Sequence, residues 1–418
     1  MQAEKTGFRS LFTRELIAIL FVSAAGIFSQ EFLAPLLSLY MRDAGLSDQN
    51  IGLLFSVMMV GVALSELFWG WALDRVKLKI VLILGVAAYG AVTLALLVPK
   101  SLPQFLVVIF LYGFSRSPIF IVGRWYMGIH APLDVIALAF GFMEMMVFIP
   151  SSLAGFSSGF FVEAWGFRNA ILFSAAIPIL VGVLLIASGR WLTFKQPVLE
   201  ELEDPDAPET NGNGDSLRMT FFIGIFGVMI FVGRGVLQAY LPLYASDVAH
   251  LDPSQIGILF GISSVLLAVT IMPLGKLADK VGKPVFVPLS MGILALSMFM
   301  VAISHNFSLL AISLLLFAGS NAMYFSSVSA LLAENVPVVF VGTAMGIYGL
   351  LEDLGWMAGP AVGGLLLCTW DIHSPFLFSA AFSFFGIPLF LWGRRWMPKR
   401  VNMSLWPKYR LDEEVMHG

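Results

Sequence analysis

The chain has 418 residues, 58% of them hydrophobic and 12% charged, with a mean hydropathy of +0.88. Soluble domains carry about 25% charged residues, so this composition excludes an ordinary soluble protein. The net charge of −3 comes with no polybasic tail, which argues against a nucleic-acid partner, and the lone Cys368 can form neither an internal disulfide nor a metal-ligand cluster and reads as a small packing residue.

In chain order, apolar runs long enough to span a bilayer cover 14–40, 49–73, 79–98, 103–127, 134–162 and 169–190. After a polar interval they resume at 219–245, 254–278, 284–304, 307–333, 340–368 and 374–396. The expected fold class is therefore an all-α integral membrane protein of twelve transmembrane helices. No signal peptide is expected, because the first run is too long for an h-region and no small-residue cleavage site follows it.

With twelve spans both termini share one side. That side holds Lys5, Arg9, Arg14, Arg75, Lys77, Lys79, Arg124, Arg190, Lys195, Arg218, Lys276, Lys280, Lys283 and the basic residues after Trp392. The opposite loops hold Arg42, Lys100 and Arg168. Positive charge stays inside, so both termini are expected to be cytoplasmic, in a cell (inner or plasma) membrane.

The halves of the chain repeat one another. "IGLLF" at 51–55 returns as "IGILF" at 256–260, and "GWALDRVKLK" at 70–79 returns as "GKLADKVGKP" at 275–284. One offset of 205 residues also joins Gly141 to Gly346, Trp165 to Trp370 and Ser174 to Ser379. The expected organisation is a six-helix bundle over 1–194, a flexible linker over 195–218, a second six-helix bundle over 219–398 and a tail over 399–418. The linker's acids, prolines and Asn-Gly pairs cannot bury enough apolar surface to order themselves.

Twelve spans, a six-plus-six repeat and a G-x-x-x-D-[RK] turn after spans 2 and 8 resemble the major facilitator superfamily. The second-half turn, with Gly275, Asp279 and Lys280, follows the family motif closely. The first-half turn keeps Gly70, Asp74 and Arg75 but has Ala72 and Lys77 where the family prefers Leu and Gly. The resemblance implies two pseudo-symmetric bundles and a cytoplasmic gate built from these residues. Physically, each glycine permits close helix approach, and each aspartate can face the positive end of a neighbouring helix.

Ionisable side chains inside spans cost about 2.5–3.5 kcal/mol on insertion scales and normally mark functional sites. Here they are Glu31, Glu66, Arg116, Glu144, Arg234, Glu352 and Asp353. Five acids against two bases leave carboxyls that must face water or carry a proton, so all five are proton-coupling candidates. Matched depth along the helices predicts pairing of Arg116 with Glu144, and of Arg234 with Glu31 or an acid of span 11. A structural ion pair is the competing reading of Arg116 with Glu144. Neighbours on a helix point about 100° apart, so Glu352 and Asp353 must face different surroundings.

Span 11 also carries Gly346, Gly355, Gly359-Pro360 and Gly363-Gly364. This matches the G-x8-G-x3-G-P-x2-G-G pattern of the superfamily's antiporters, displaced from span 5 to its repeat partner. Gly355, Gly359, Pro360 and Gly363 are expected to form a tight helix contact that acts as hinge or seal. Span 4 reads "YGFSRSPIF", with an arginine but without the Gln-Gly step usual in drug:proton antiporters.

Aromatic candidates for a cavity are Phe28, Phe32, Tyr40, Tyr112, Phe120, Tyr240, Tyr324, Phe325 and Trp356. Asn321 falls at the repeat position of Arg116. Arg116, Arg234, Asn321, Tyr240 and Trp356 are the substrate or ion-pair candidates. No catalytic or metal-ligating constellation and no nucleotide-binding loop is apparent. The expected function is that of a monomeric, proton-coupled exporter of small amphipathic or drug-like molecules, with no cofactor and the proton gradient as energy source. A proton symporter for an organic anion or sugar, a lysolipid flippase of the same fold, and a non-transporting receptor are the alternatives.

Overall fold

The computed structural model describes residues 13–73, 75–130, 136–188, 213–335 and 338–393. Asp74, the linker residues 195–212 and the tail 399–418 lie outside the described residues, as do the side chains of Glu144 and Asp279. Among the described residues the chain forms twelve helices and no strand.

The first predicted span divides into α1 (Arg14–Leu33) and α2 (Leu37–Asp43). Pro35 between them has no N–H to donate and its ring crowds the preceding turn, so the continuous helix expected over 14–40 breaks. Thr13 opens α1 as its N-cap, accepting from the Leu16 N–H at 3.1 Å. There follow α3 (Asp48–Leu73), α4 (Leu78–Ala95) and α5 (Leu102–His130). Spans 5 and 6 lie within α6 (Ile136–Ala187), two helical stretches that meet at Gly166, whose left-handed φ of 77° ends the first inside the predicted gap 163–168.

The second half runs α7 (Asn213–Asp247), α8 (Pro253–Val281), α9 (Lys283–Ala302), α10 (Phe307–Asn335), α11 (Val338–Thr369) and α12 (Ser374–Gly393). α7 begins at Asn213, so the last residues of the predicted linker are helical, continuing the helix beyond its apolar stretch. Asp252 caps α8 through a box with Gln255, and Pro253 supplies the preset φ of a first turn. Ten of these helices are long and apolar enough to cross a membrane, counted over the described residues. Their outer faces expose large apolar residues such as Leu67, Val269 and Leu391, as a surface turned toward lipid does.

Antiparallel succession puts the start of α1, the 73–78 turn and the end of α12 at one end of the bundle, here the terminal end. The turns at 43–48, 96–101, 248–252 and 370–373 lie at the distal end. α1 packs on α6, α3 on α5, α7 on α11, and α8 and α9 on α10. Small polar residues bind crossing helices at close range: Ser29 donates to the Ser174 carbonyl at 2.7 Å, and Ser297 to that of Ser313 at 2.7 Å. The two largest contacts between the repeats are α6 on α8 and α3 on α11, with smaller ones of α2 and α3 on α7.

Candidate functional site

The last turn of α1 before Pro35 presents Gln30 and Glu31 to α5. Arg116 of α5 is buried, with 6% of its surface exposed. Its Nη2 lies 3.5 Å from Glu31 Oε1, and its Nε donates to Gln30 Oε1 at 3.3 Å. Gln30 Nε2 in turn donates to the Arg116 carbonyl at 3.1 Å. Met58 Sδ lies 3.8 Å from Nη1, and the Tyr112 ring lies 5.9 Å from the guanidinium carbon. The Tyr112 hydroxyl continues the polar cluster to Tyr89 at 3.1 Å. Arg116 thus meets Glu31; the Glu144 side chain, with which depth alone paired it, lies outside the described residues. The Glu31 side chain keeps 32% of its surface exposed against 7% for Arg116, so the carboxylate forms the accessible face of the pair. Glu66 is exposed on α3.

The second half holds two further groupings. Arg234 of α7 stacks over Trp356 at 5.0 Å, with Phe231 at 5.7 Å and Phe325 at 6.0 Å. Cation–π contact of this kind holds a guanidinium among apolar walls. Trp356 Nε1 donates to Gln238 Oε1 at 2.9 Å, which fixes the indole plane. On the next turn of α11, Glu352 Oε1 accepts from the Tyr324 hydroxyl at 3.4 Å, and Tyr348 donates to Tyr324 at 2.6 Å. Asp353 lies on the other line of α11, the one that carries Met357 and Pro360 toward α3.

Two predicted substrate groups are used internally. Asn321 is fully buried and its Nδ2 donates to the Phe317 carbonyl of its own helix at 2.8 Å. Tyr240 is also fully buried; its hydroxyl donates to the Pro360 carbonyl at 2.7 Å, at the seam where Gly52 of α3 leaves room for it. Gly355 and Gly359 bring α11 against the backbone of α7 at Val228 and Val232, inside one half. Gly363 packs on Tyr240, and the neighbouring Gly364 reaches Gln49 of the other half. The glycine pattern is thus mainly a contact within a half, and only its distal end belongs to a seal between halves.

At the distal end Arg42 bridges the halves. Its Nη2 lies 2.7 Å from Asp48 Oδ2 and its Nη1 lies 2.6 Å from Asp247 Oδ1. Burial pushes the Arg42 pKa down, but the hydrogen bonds to Asp48 and Asp247 outweigh it and hold the group above its ordinary value. Nearby, the Ser254 N–H donates to Glu163 Oε1 at 2.8 Å, and Ser56 donates to the Met357 carbonyl at 2.8 Å. Gly155, Gly159, Gly257 and Gly261 set α6 and α8 at backbone contact. The distal end is closed. At the terminal end Arg75 is exposed and folds back on its own helix, stacking on Trp71 at 4.8 Å. Lys280 is exposed, a Cβ added at Gly70 would meet open space, and one at Gly275 would touch only Ser326.

Sequence reasoning missed Gln30, Gln238, Tyr348 and the Arg42–Asp247 bridge. The uncharged groups carry no signal in an apolar run. The bridge did carry one, because Arg42 and Asp247 stand at the same offset of 205 residues that relates the two halves.

The Major Facilitator Superfamily profile matches residues 19–252 and 223–403. An uncharacterized MFS-type transporter of Methanocaldococcus jannaschii is 23% identical over 357 residues, covering 84% of this chain and 91% of that protein. Multidrug resistance protein MdtG of Proteus mirabilis is 22% identical over 384 residues, covering 88% of this chain and 92% of its own. Among solved structures, a bacterial homolog of the human lysosomal transporter Spinster, in an inward-facing and occupied conformation, superposes with a TM-score of 0.74 at 13% identity, covering 91% of this chain and 96% of that one. These similar proteins are transporters, not enzymes. The chain is an integral membrane transporter and belongs to the Major Facilitator Superfamily.

Proposed function

We propose that this transporter is a proton-coupled exporter of small amphipathic, drug-like cations, working by alternating access with both termini in the cytoplasm. The observation that carries the reading is the Glu31–Arg116 pair. A carboxylate held at 3.5 Å from a buried guanidinium, and itself partly exposed, can be claimed by Arg116, by a proton or by a cationic ligand. Proton and cationic ligand exclude one another at a single carboxylate, and that competition is all that exchange requires. Phe28 and Phe120, half-buried about one turn from Glu31 and Arg116 along their helices, suit the apolar body of such a ligand. The distal closure by Arg42 is then one extreme of the cycle. The basic residues gathered on the terminal side support a cytoplasmic location of that side. The match to a multidrug resistance protein along most of both chains supports export.

The test is proteoliposome transport of tetraphenylphosphonium under an imposed pH gradient. Wild type is expected to move the probe against the proton flux. Glu31→Gln is expected to reduce gradient-driven transport at least tenfold, to weaken probe binding and to remove its pH dependence, while leaving thermal stability near wild type. Movement of solute with protons would identify a symporter instead. Unchanged gradient-driven transport in Glu31→Gln would remove Glu31 from the mechanism.

A further inference from the structure

Glu352 and two tyrosines form a second buried polar site, in the half of the molecule opposite Glu31. Tyr324 of α10 is fully buried and Tyr348 of α11 is 6% exposed, whereas the Glu352 side chain is half-buried. The hydroxyls form an ordered chain: Tyr348 donates to Tyr324 at 2.6 Å, and Tyr324 donates to Glu352 Oε1 at 3.4 Å. Two helices thus spend two phenols on one carboxyl within the membrane. A packing role alone calls for phenylalanine at both positions, because each buried hydroxyl must be hydrogen-bonded to be tolerated.

Helices α3, α7, α10 and α12 pack against α11. The titratable residues of α3 are Asp48 at its distal start and Glu66, exposed near its terminal end. α10 contributes Tyr324 and α11 contributes Tyr348, with Asp353 turned about 100° away. α7 presents Gly227, so the Glu352 chain lies directly against that helix's backbone, and Arg234 follows about 10 Å further along α7. α12 carries no titratable residue. Gly227 leaves room for the cluster: a Cβ there would lie 2.8 Å from the Tyr324 hydroxyl and 3.2 Å from Glu352 Cγ.

We infer that Glu352, held by the Tyr348–Tyr324 hydroxyl chain, is a second proton-binding site, so that each transport cycle carries two protons, one on each half. This deepens the exchange reading proposed above and rests on it for the stoichiometry. Charge balance follows directly. Two protons entering against one monovalent cation leaving move one net positive charge inward, so the membrane potential alone drives the exchange. Glu352 binds a proton and Tyr324 positions it; neither makes or breaks a bond to substrate.

Two measurements on the purified full-length protein test this. In weakly buffered detergent solution, tetraphenylphosphonium binding is expected to release about two protons per probe from wild type and about one from Glu352→Gln, by reciprocal linkage of proton and ligand. Infrared difference spectra across a pH jump are expected to show a carboxyl C=O band that vanishes in Glu352→Gln. The band changes frequency in Tyr324→Phe, which keeps the ring but loses the hydroxyl bonded to the carboxyl. Release of two protons by Glu352→Gln, or an unaltered band in both variants, would overturn the site. Should wild type bind no probe, the exporter reading fails, while the infrared band still decides whether Glu352 takes a proton.

Discussion

Gln30 shows what a single side chain contributes to the Glu31–Arg116 site. It accepts from the guanidinium through its carbonyl and donates to the Arg116 backbone through its amide, so it fixes both the head and the root of the arginine. Gln30→Leu keeps the volume but strands both partners in a buried setting. The expected loss is about 1–3 kcal/mol of stability, read as a lower thermal midpoint in detergent. Glu31→Gln, whose oxygen still accepts from Arg116, is expected to change that midpoint far less. A midpoint unaltered by Gln30→Leu would show that lipid or water satisfies these groups. The sequence disclosed Arg116 and Glu31 because charge stands out in an apolar run. It could not disclose their pairing, because counting depth along helices says nothing about which faces meet. Gln30 passed unnoticed for a simpler reason: an amide costs less than a charge and gives no alarm.

Glycines that look alike in α11 do different work once neighbouring helices are in place. A Cβ at Gly359 would run into the Val232 carbonyl of α7, while one at Gly349 would meet nothing within 4 Å. Gly359→Ala is expected to destabilise the protein by about 1–3 kcal/mol, the usual cost of overpacking a close contact. Gly349→Ala is expected to leave stability unchanged or raise it by up to about 1 kcal/mol through helix propensity. Thermal unfolding of the two variants in the same detergent checks both signs at once, and equal effects would show that the α7–α11 contact yields freely. The glycine spacing was visible in the sequence, and so were the helices themselves. Which glycine closes on a neighbour was not, because that depends on the rotation of α11 about its axis. The same limit hid the break at Pro35, whose ring was in view while the span around it still looked continuous.

Arg42 and Asp247 occupy equivalent places in the two repeats, so a link between them lies near the pseudo-symmetry axis and resists separation of the halves at the distal end. The repeat was legible from its constant offset. The closed end was not, because a repeat fixes the architecture of each half and leaves their mutual tilt free. The link competes with the packing of α6 on α8 and α3 on α11, and magnitudes rank them. The arginine and aspartate side chains are 28% and 44% exposed, so the pair contributes about 0.2–1 kcal/mol, screened further by salt. It therefore biases the conformational equilibrium and does not lock it. Arg42→Ala is expected to raise the ratio of distal-open to distal-closed molecules by up to about fivefold. Distance measurements between spin labels near Gly166 of α6 and at the start of α8 read that ratio. The charge swap Arg42→Asp with Asp247→Arg is expected to return part of the shift, since Asp48 then faces a like charge at position 42. Raising salt should shrink the difference between wild type and Arg42→Ala, because the term lost is electrostatic. An equilibrium indifferent to substitution and salt would assign distal closure to the glycine contacts alone.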